Sequence, residues 1–90
     1  MSASTIGTTM TVRVLFFAQL RDRVGADELA VSLPSGSTGA DLMEWLSQRD
    51  PTVRDLLRVS RLAVNGEYAA LDRVLHNGDE AAVIPPVSGG

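Results

Sequence analysis

The chain has 90 residues, 44% of them hydrophobic, 4% aromatic and 21% charged, with a formal net charge of −3. That length makes one small domain, which buries only about 60–65% of the surface its unfolded chain exposes. Cysteine and lysine are absent and His76 is the sole histidine, so these residues exclude disulfides, thiolate metal sites, a cysteine nucleophile, a Schiff-base or P-loop lysine and a His-rich metal centre.

Residues 1–10 are rich in Ser and Thr and predict a disordered N-terminal tail. Met1 to Thr9 lacks the basic start and apolar stretch of a signal peptide. From Thr11 to Ala18 the chain reads TVRVLFFA. Val12, Val14 and Phe16 share one face, which predicts a strand. Leu15 and Phe17 fall on the other face and make it unusually apolar for a solvated side. Gln19 to Val24 predicts one or two helical turns closed by Gly25. Glu28 to Leu33 alternates again, with Leu29, Val31 and Leu33 inward, and stops at Pro34–Ser35–Gly36.

Thr38 is a good helix N-cap, and Asp41 lies three residues on with a charge suited to the helix start. Leu42, Trp45, Leu46 and Arg49 follow at helical spacing, which predicts the main helix. Trp45 on that stripe reads as core. Asp50–Pro51 restarts a short helix buried through Val53, Leu56 and Leu57. Arg61 to Val64 is a third strand, Asn65–Gly66 a tight hairpin turn and Glu67 to Ala70 the returning strand. Asn77–Gly78–Asp79 marks another turn, in which Asp79 acts locally. Glu80 to Ile84 is the last strand, stopped by Pro85–Pro86.

Strands with helices between them indicate an α+β fold. The arrangement that fits is a β-grasp: a mixed sheet of four to five strands, the last beside the first, with one main helix across a face and short helical segments. The predicted domain runs over residues 11–84, followed by an extended tail over 85–90.

Pro85, Pro86, Val87, Ser88, Gly89 and Gly90 carry the chemistry. The two prolines favour an extended conformation that projects the chain from the sheet, and six residues at about 3.1–3.5 Å each reach roughly 20 Å. Two glycines without Cβ let the end thread a narrow channel. A terminal carboxylate is a reactive handle once ATP gives it a leaving group, as an acyl-adenylate. Phe17, Tyr68 and Ile84 share the sheet's second face if the helix covers the first. An exposed apolar patch on a small domain marks an interface, and the alternative is that they are core under the first long loop. His76 reads as a surface loop residue, and Gly36 and Gly39 do not form a phosphate loop. No Arg cluster or aromatic platform indicates nucleic acid, and no apolar run is long enough to span a membrane. A cytoplasmic setting suits a cysteine-free chain.

These residues resemble a known family, the MoaD-type ubiquitin-like small subunit of molybdopterin synthase. The matching segments are Val14–Leu15–Phe16–Phe17–Ala18–Gln19–Leu20–Arg21 with Val24–Gly25, Ala63–Val64–Asn65, Gly78–Asp79–Glu80 and Pro85–Pro86–Val87–Ser88–Gly89–Gly90. Ala82 and Ile84 depart from it, since the family often has bulkier residues there. The resemblance implies a sulfur carrier that binds no cofactor and is not a catalyst alone. An adenylyltransferase resembling ubiquitin-activating enzymes uses ATP to adenylate Gly90. A sulfurtransferase or cysteine desulfurase supplies sulfur, leaving a thiocarboxylate. Pro85, Pro86, Val87, Ser88 and Gly89 thread the active site of the MoaE-type large subunit, in a heterotetramer, where sulfur passes to cyclic pyranopterin monophosphate for molybdenum cofactor biosynthesis. Phe17, Tyr68 and Ile84 form the partner interface. Arg21 either contacts an acidic group of the partner or is a solvated surface arginine. The alternatives are a sulfur carrier for thiamin or cysteine synthesis, a modifier joined through its C-terminus to target lysines, and a β-grasp binding module with an inert tail.

Overall fold

A computed structural model describes residues 8–86 of the chain. The first strand, β1 (Thr9–Phe16), starts two residues before the predicted position. The Thr-Thr-Met-Thr run reads as a polar tail, yet its period of two continues that of Val12, Val14 and Phe16. Met10 is therefore 3% exposed and pairs with Leu33 on the next strand. The expected tail at residues 1–7 lies outside the described residues.

Helix α1 (Ala18–Val24) buries Leu20 and ends at Gly25, whose φ of 82° gives the left-handed turn that favours glycine. Strand β2 (Glu28–Pro34) returns antiparallel to β1, setting Val12 against Val31 and Val14 against Leu29. Helix α2 (Gly39–Arg49) begins in a full capping box. Thr38 Oγ1 accepts from the Asp41 backbone N–H at 3.3 Å, and Asp41 Oδ2 accepts from that of Thr38 at 2.9 Å. Asp50 closes α2 and caps the next turn, accepting from the Thr52 N–H at 3.2 Å. The predicted short second helix is a 3-10 turn (Pro51–Val53) running into α3 (Arg54–Arg58).

Strands β3 (Arg61–Val64) and β4 (Glu67–Ala69) form the hairpin expected at Asn65–Gly66. Both turn residues have positive φ, 52° and 87°, as such a two-residue turn demands. Strand β5 (Glu80–Ile84) lies parallel to β1 and antiparallel to β3. The sheet order β2-β1-β5-β3-β4 is that of a β-grasp fold.

One face of the sheet is covered. Met10, Val12, Val14, Phe16, Val31, Leu33, Leu62, Val64, Ala81 and Val83 form a single buried cluster with Leu20, Leu42, Leu46, Val53, Leu57 and Leu75 from the helices and loops. The returning strand ends at Ala69, one residue before its expected end, and residues 71–75, without a predicted element, form a strap across the start of α2. The backbone N–H groups of Gly39 and Ala40 donate to Arg73 and Leu71 carbonyls at 3.0 and 2.8 Å, and that of Leu75 to Ser37 at 2.8 Å. The close approach requires glycine at position 39, since a Cβ there would sit 2.5 Å from Leu62 Cδ2 and 3.3 Å from the Leu71 carbonyl oxygen. Among the described residues no helix is long and apolar enough to cross a membrane.

Candidate functional site

The site is the uncovered face of the sheet and the point where the chain leaves it. Alternation along each strand decides what that face carries. Register places Glu28, Leu15, Ala82, Ala63 and Tyr68 in one row across the strands. The next row toward the tail pairs Ile84 with Arg61. Phe17 follows β1 in extended conformation, so the β1–β5 register carried on from Leu15 and Ala82 sets it level with Ile84. Ala18 then takes a φ of 52°, unusual without glycine, and turns the chain into α1. Phe17 is thereby left 45% exposed.

The structure thus brings Phe17, Ile84 and Tyr68 to the same uncovered side. Tyr68 is 67% exposed and Ile84 is half-buried in its row. Ala63 and Ala82 between them are small, so the centre of the face is low and Tyr68 and Phe17 form its raised edges. At the far end Glu80 accepts an ion-paired hydrogen bond from Arg13. That bond, with the charge of Glu80 and Glu28 behind it, raises the Arg13 pKa further above its ordinary value. Arg21 lies elsewhere, on α1, with its Nε 3.8 Å from Asp27 and 3.9 Å from Asp22. These exposed pairs fit the solvated-arginine alternative as well as a partner contact.

The central strand β5 runs directly into Pro85 and Pro86. Pro85 is buried and Pro86 exposed, so the chain leaves the domain at Pro86. A proline gives no ladder N–H, which ends β5 between two neighbouring strands. Val87, Ser88, Gly89 and Gly90 lie outside the described residues.

The opposite end of β5 is held by a polar network that sequence reasoning found only in part. Asp79 Oδ1 accepts from Asn65 Nδ2 at 3.0 Å, and Oδ2 accepts from the His76 backbone N–H at 2.8 Å. Asn65 Oδ1 accepts from the Glu80 N–H at 3.0 Å, and Asn77 Oδ1 from the Thr11 N–H at 2.8 Å. Burial raises the Asp79 carboxyl, but hydrogen bonds from Asn65 and His76 and positive charge at His76 and Arg73 outweigh it and hold it below the usual value. His76 itself is exposed in its loop, as expected. Among the described residues no group of three or more His, Asp or Glu is placed to hold a metal ion.

The ThiS family model matches residues 14–90. The chain belongs to the ThiS family. Among its relatives are proteins named molybdopterin synthase sulfur carrier subunit. That from Arabidopsis thaliana is 34% identical over 83 residues, covering 92% of this chain and 86% of the relative. That from Dictyostelium discoideum is 40% identical over 81 residues, covering 87% and 94%. Among solved structures, a putative molybdopterin converting factor subunit 1 from Pyrococcus furiosus is 32% identical with a TM-score of 0.80, covering 87% of this chain and 99% of the other. SAMP1 from Haloferax volcanii is 30% identical with a TM-score of 0.77, covering 89% and 99%. A chain from a complex of subunits 1 and 2 of Helicobacter pylori molybdopterin-converting factor, 24% identical with a TM-score of 0.64 and covering 90% and 100%, shares the fold. The chain is a homologue of the molybdopterin synthase sulfur carrier subunits, and the resemblance carried by the Phe16–Phe17–Ala18 and Pro85–Gly90 segments holds across the domain.

Proposed function

We propose that this protein is the sulfur carrier subunit of molybdopterin synthase and that Gly90 is its working group. An ATP-dependent adenylyltransferase joins the Gly90 carboxylate to AMP, with loss of pyrophosphate. The persulfide of a sulfurtransferase or cysteine desulfurase then displaces AMP to form an acyl disulfide, and a thiol reduces that disulfide to leave a thiocarboxylate. The large subunit takes in the tail, and the thiocarboxylate sulfur attacks cyclic pyranopterin monophosphate; water then cleaves the resulting thioester, leaving sulfur on the product and a carboxylate on Gly90. ATP is consumed by the activating enzyme, and the carrier works in the cytoplasm.

One observation carries the reading: the tail leaves from the central strand beside an exposed apolar face. A docked face then fixes where the tail enters its partner. From Pro86, four further residues at about 3.3–3.5 Å each reach roughly 13–14 Å. A thiocarboxylate is ionised at neutral pH, and its soft sulfur is a strong nucleophile. Delivery deep inside a partner keeps it from water until it reacts. The names of the relatives favour the molybdopterin branch over thiamin or cysteine synthesis.

The test is intact mass after incubation with ATP, the cognate activating enzyme and a sulfur source. Wild type is expected to gain the mass of one oxygen replaced by sulfur. Deleting Gly90 is expected to abolish both the gain and sulfur transfer while leaving melting temperature unchanged. Transfer unimpaired by the deletion would sink the mechanism. A second reading, attachment of the tail to lysines of other proteins, draws support from the similarity to the small archaeal modifier protein 1 of Haloferax volcanii. Covalent adducts on other proteins in the same reaction, with no sulfur gain, would favour it.

A further inference from the structure

Arg61 opens β3 and pairs in register with Ile84, the last strand residue before the tail. Its guanidinium carbon lies 5.4 Å from the centroid of the Tyr68 ring, within cation–π range, and both side chains are exposed. Among the described residues, ion pairs within 4.0 Å are made by Arg13, Arg21, Arg58 and His76, and none by Arg61. The two arginines of this face thus differ. Arg13 is neutralised by Glu80 at one end, whereas Arg61 stands unneutralised at the end where the tail leaves. An arginine stacked on a ring by its face keeps its N–H donors in the guanidinium plane, directed past the ring edge. Arg61 and Tyr68 themselves line a cleft of about 430 Å³ at the open edge of β4, together with Ser60 and the apolar Leu62, Ala69, Ala70 and Leu71. A charged fork therefore stands in the wall of a largely apolar cleft, on the strand next to the one from which the tail leaves.

We propose that Arg61, oriented by Tyr68, is the docking residue for a carboxylate on the protein that receives the tail. The surface it fits is an acidic loop, an Asp or Glu followed by an apolar side chain that fills the cleft beside Leu71. The planar fork takes both carboxylate oxygens, which fixes the angle at which the domain sits over the tail channel. A lysine keeps the charge but loses the stacking and the fork. Against the chain's net charge of −3, a local arginine beside the tail exit also orients the encounter with an acidic surface. This role rests on the carrier reading and names the chemistry by which the carrier recognises its partner.

The test measures association of the full chain with the cognate large subunit of molybdopterin synthase over a range of salt concentrations. Arg61→Glu is expected to weaken binding by about thirtyfold or more, and Arg61→Lys by about three- to tenfold although the charge is kept. Arg61→Ala is expected to flatten the salt dependence of the association rate. Arg73→Glu, in the strap, changes the net charge equally and is expected to shift affinity by less than about threefold. Melting temperatures of the Arg61 variants should match wild type, since the side chain is exposed. Arg61→Glu binding no worse than Arg73→Glu overturns the role, as does Arg61→Lys binding like wild type at every salt concentration. Wild type failing to bind the large subunit overturns the carrier reading itself, and the wild-type trace alone shows which has failed.

Discussion

Asp79 shows how much a single turn residue can hold. Its side chain is 13% exposed and accepts from two donors on different segments, so it ties the β3–β4 turn to the start of β5. Its carboxyl is held below the ordinary value by the Asn65 and His76 hydrogen bonds and by nearby positive charge, against the opposing effect of burial. A carboxylate with a lowered folded pKa stabilises the fold above its unfolded pKa of about 3.9 and loses that contribution as pH falls through the folded value. Asp79→Ala is therefore expected to cost about 1–3 kcal/mol at neutral pH. In urea unfolding the gap to wild type should narrow as pH drops below about 4. An equal gap at pH 3 and pH 7, both chosen on either side of about 3.9, would show that the charge contributes nothing. Sequence reading gave Asp79 a local role in its turn. The link to Asn65 is invisible in linear order because the partners are 14 residues apart.

At the scale of elements, periodicity and caps were legible, and contacts made without a period were not. Alternation placed Val12, Val14, Phe16, Leu29, Val31 and Leu33 on the inner face; five are buried, and Leu29, near the start of β2, is half-buried against the core. Thr38–Asp41 and Asn65–Gly66 are local devices, and each forms where its residues stand. The strap is different. Leu75 is fully buried and Val74 bridges to Thr38, but residues 71–75 show neither helical nor strand spacing, so nothing in their order announces them. The start of β1 was hidden by threonines on its outer face. Met10→Ala checks that boundary. Truncating a buried methionine is expected to cost about 2–5 kcal/mol in chemical denaturation. A cost below about 0.5 kcal/mol, usual for an exposed residue, would return Met10 to the tail.

For the whole molecule, the β-grasp topology explains why the tail and the apolar face belong together. The last strand is threaded between β1 and β3, so the chain's final segment leaves from the middle of the sheet, not its edge. Helices and the strap cover one face, and the other keeps Leu15, Ala82, Ala63, Ile84, Phe17 and Tyr68 beside that exit. The shared face was legible because period two sorts residues between sides even when strand order is unknown. The Arg61–Tyr68 stacking was not, since it depends on which strands are neighbours. A core role and a docking role for the apolar residues make opposite forecasts. A charge in the core would leave an unpaired ion buried and collapse the fold. On an exposed face, the same charge meets water when free and is desolvated only when a partner covers it. Phe17→Arg and Ile84→Arg are thus expected to weaken binding to the large subunit by about tenfold or more while lowering melting temperature by only a few degrees. Thermal unfolding and titration against the large subunit decide the matter. Melting that falls before binding does would move these side chains into the core and leave the tail without a docking face.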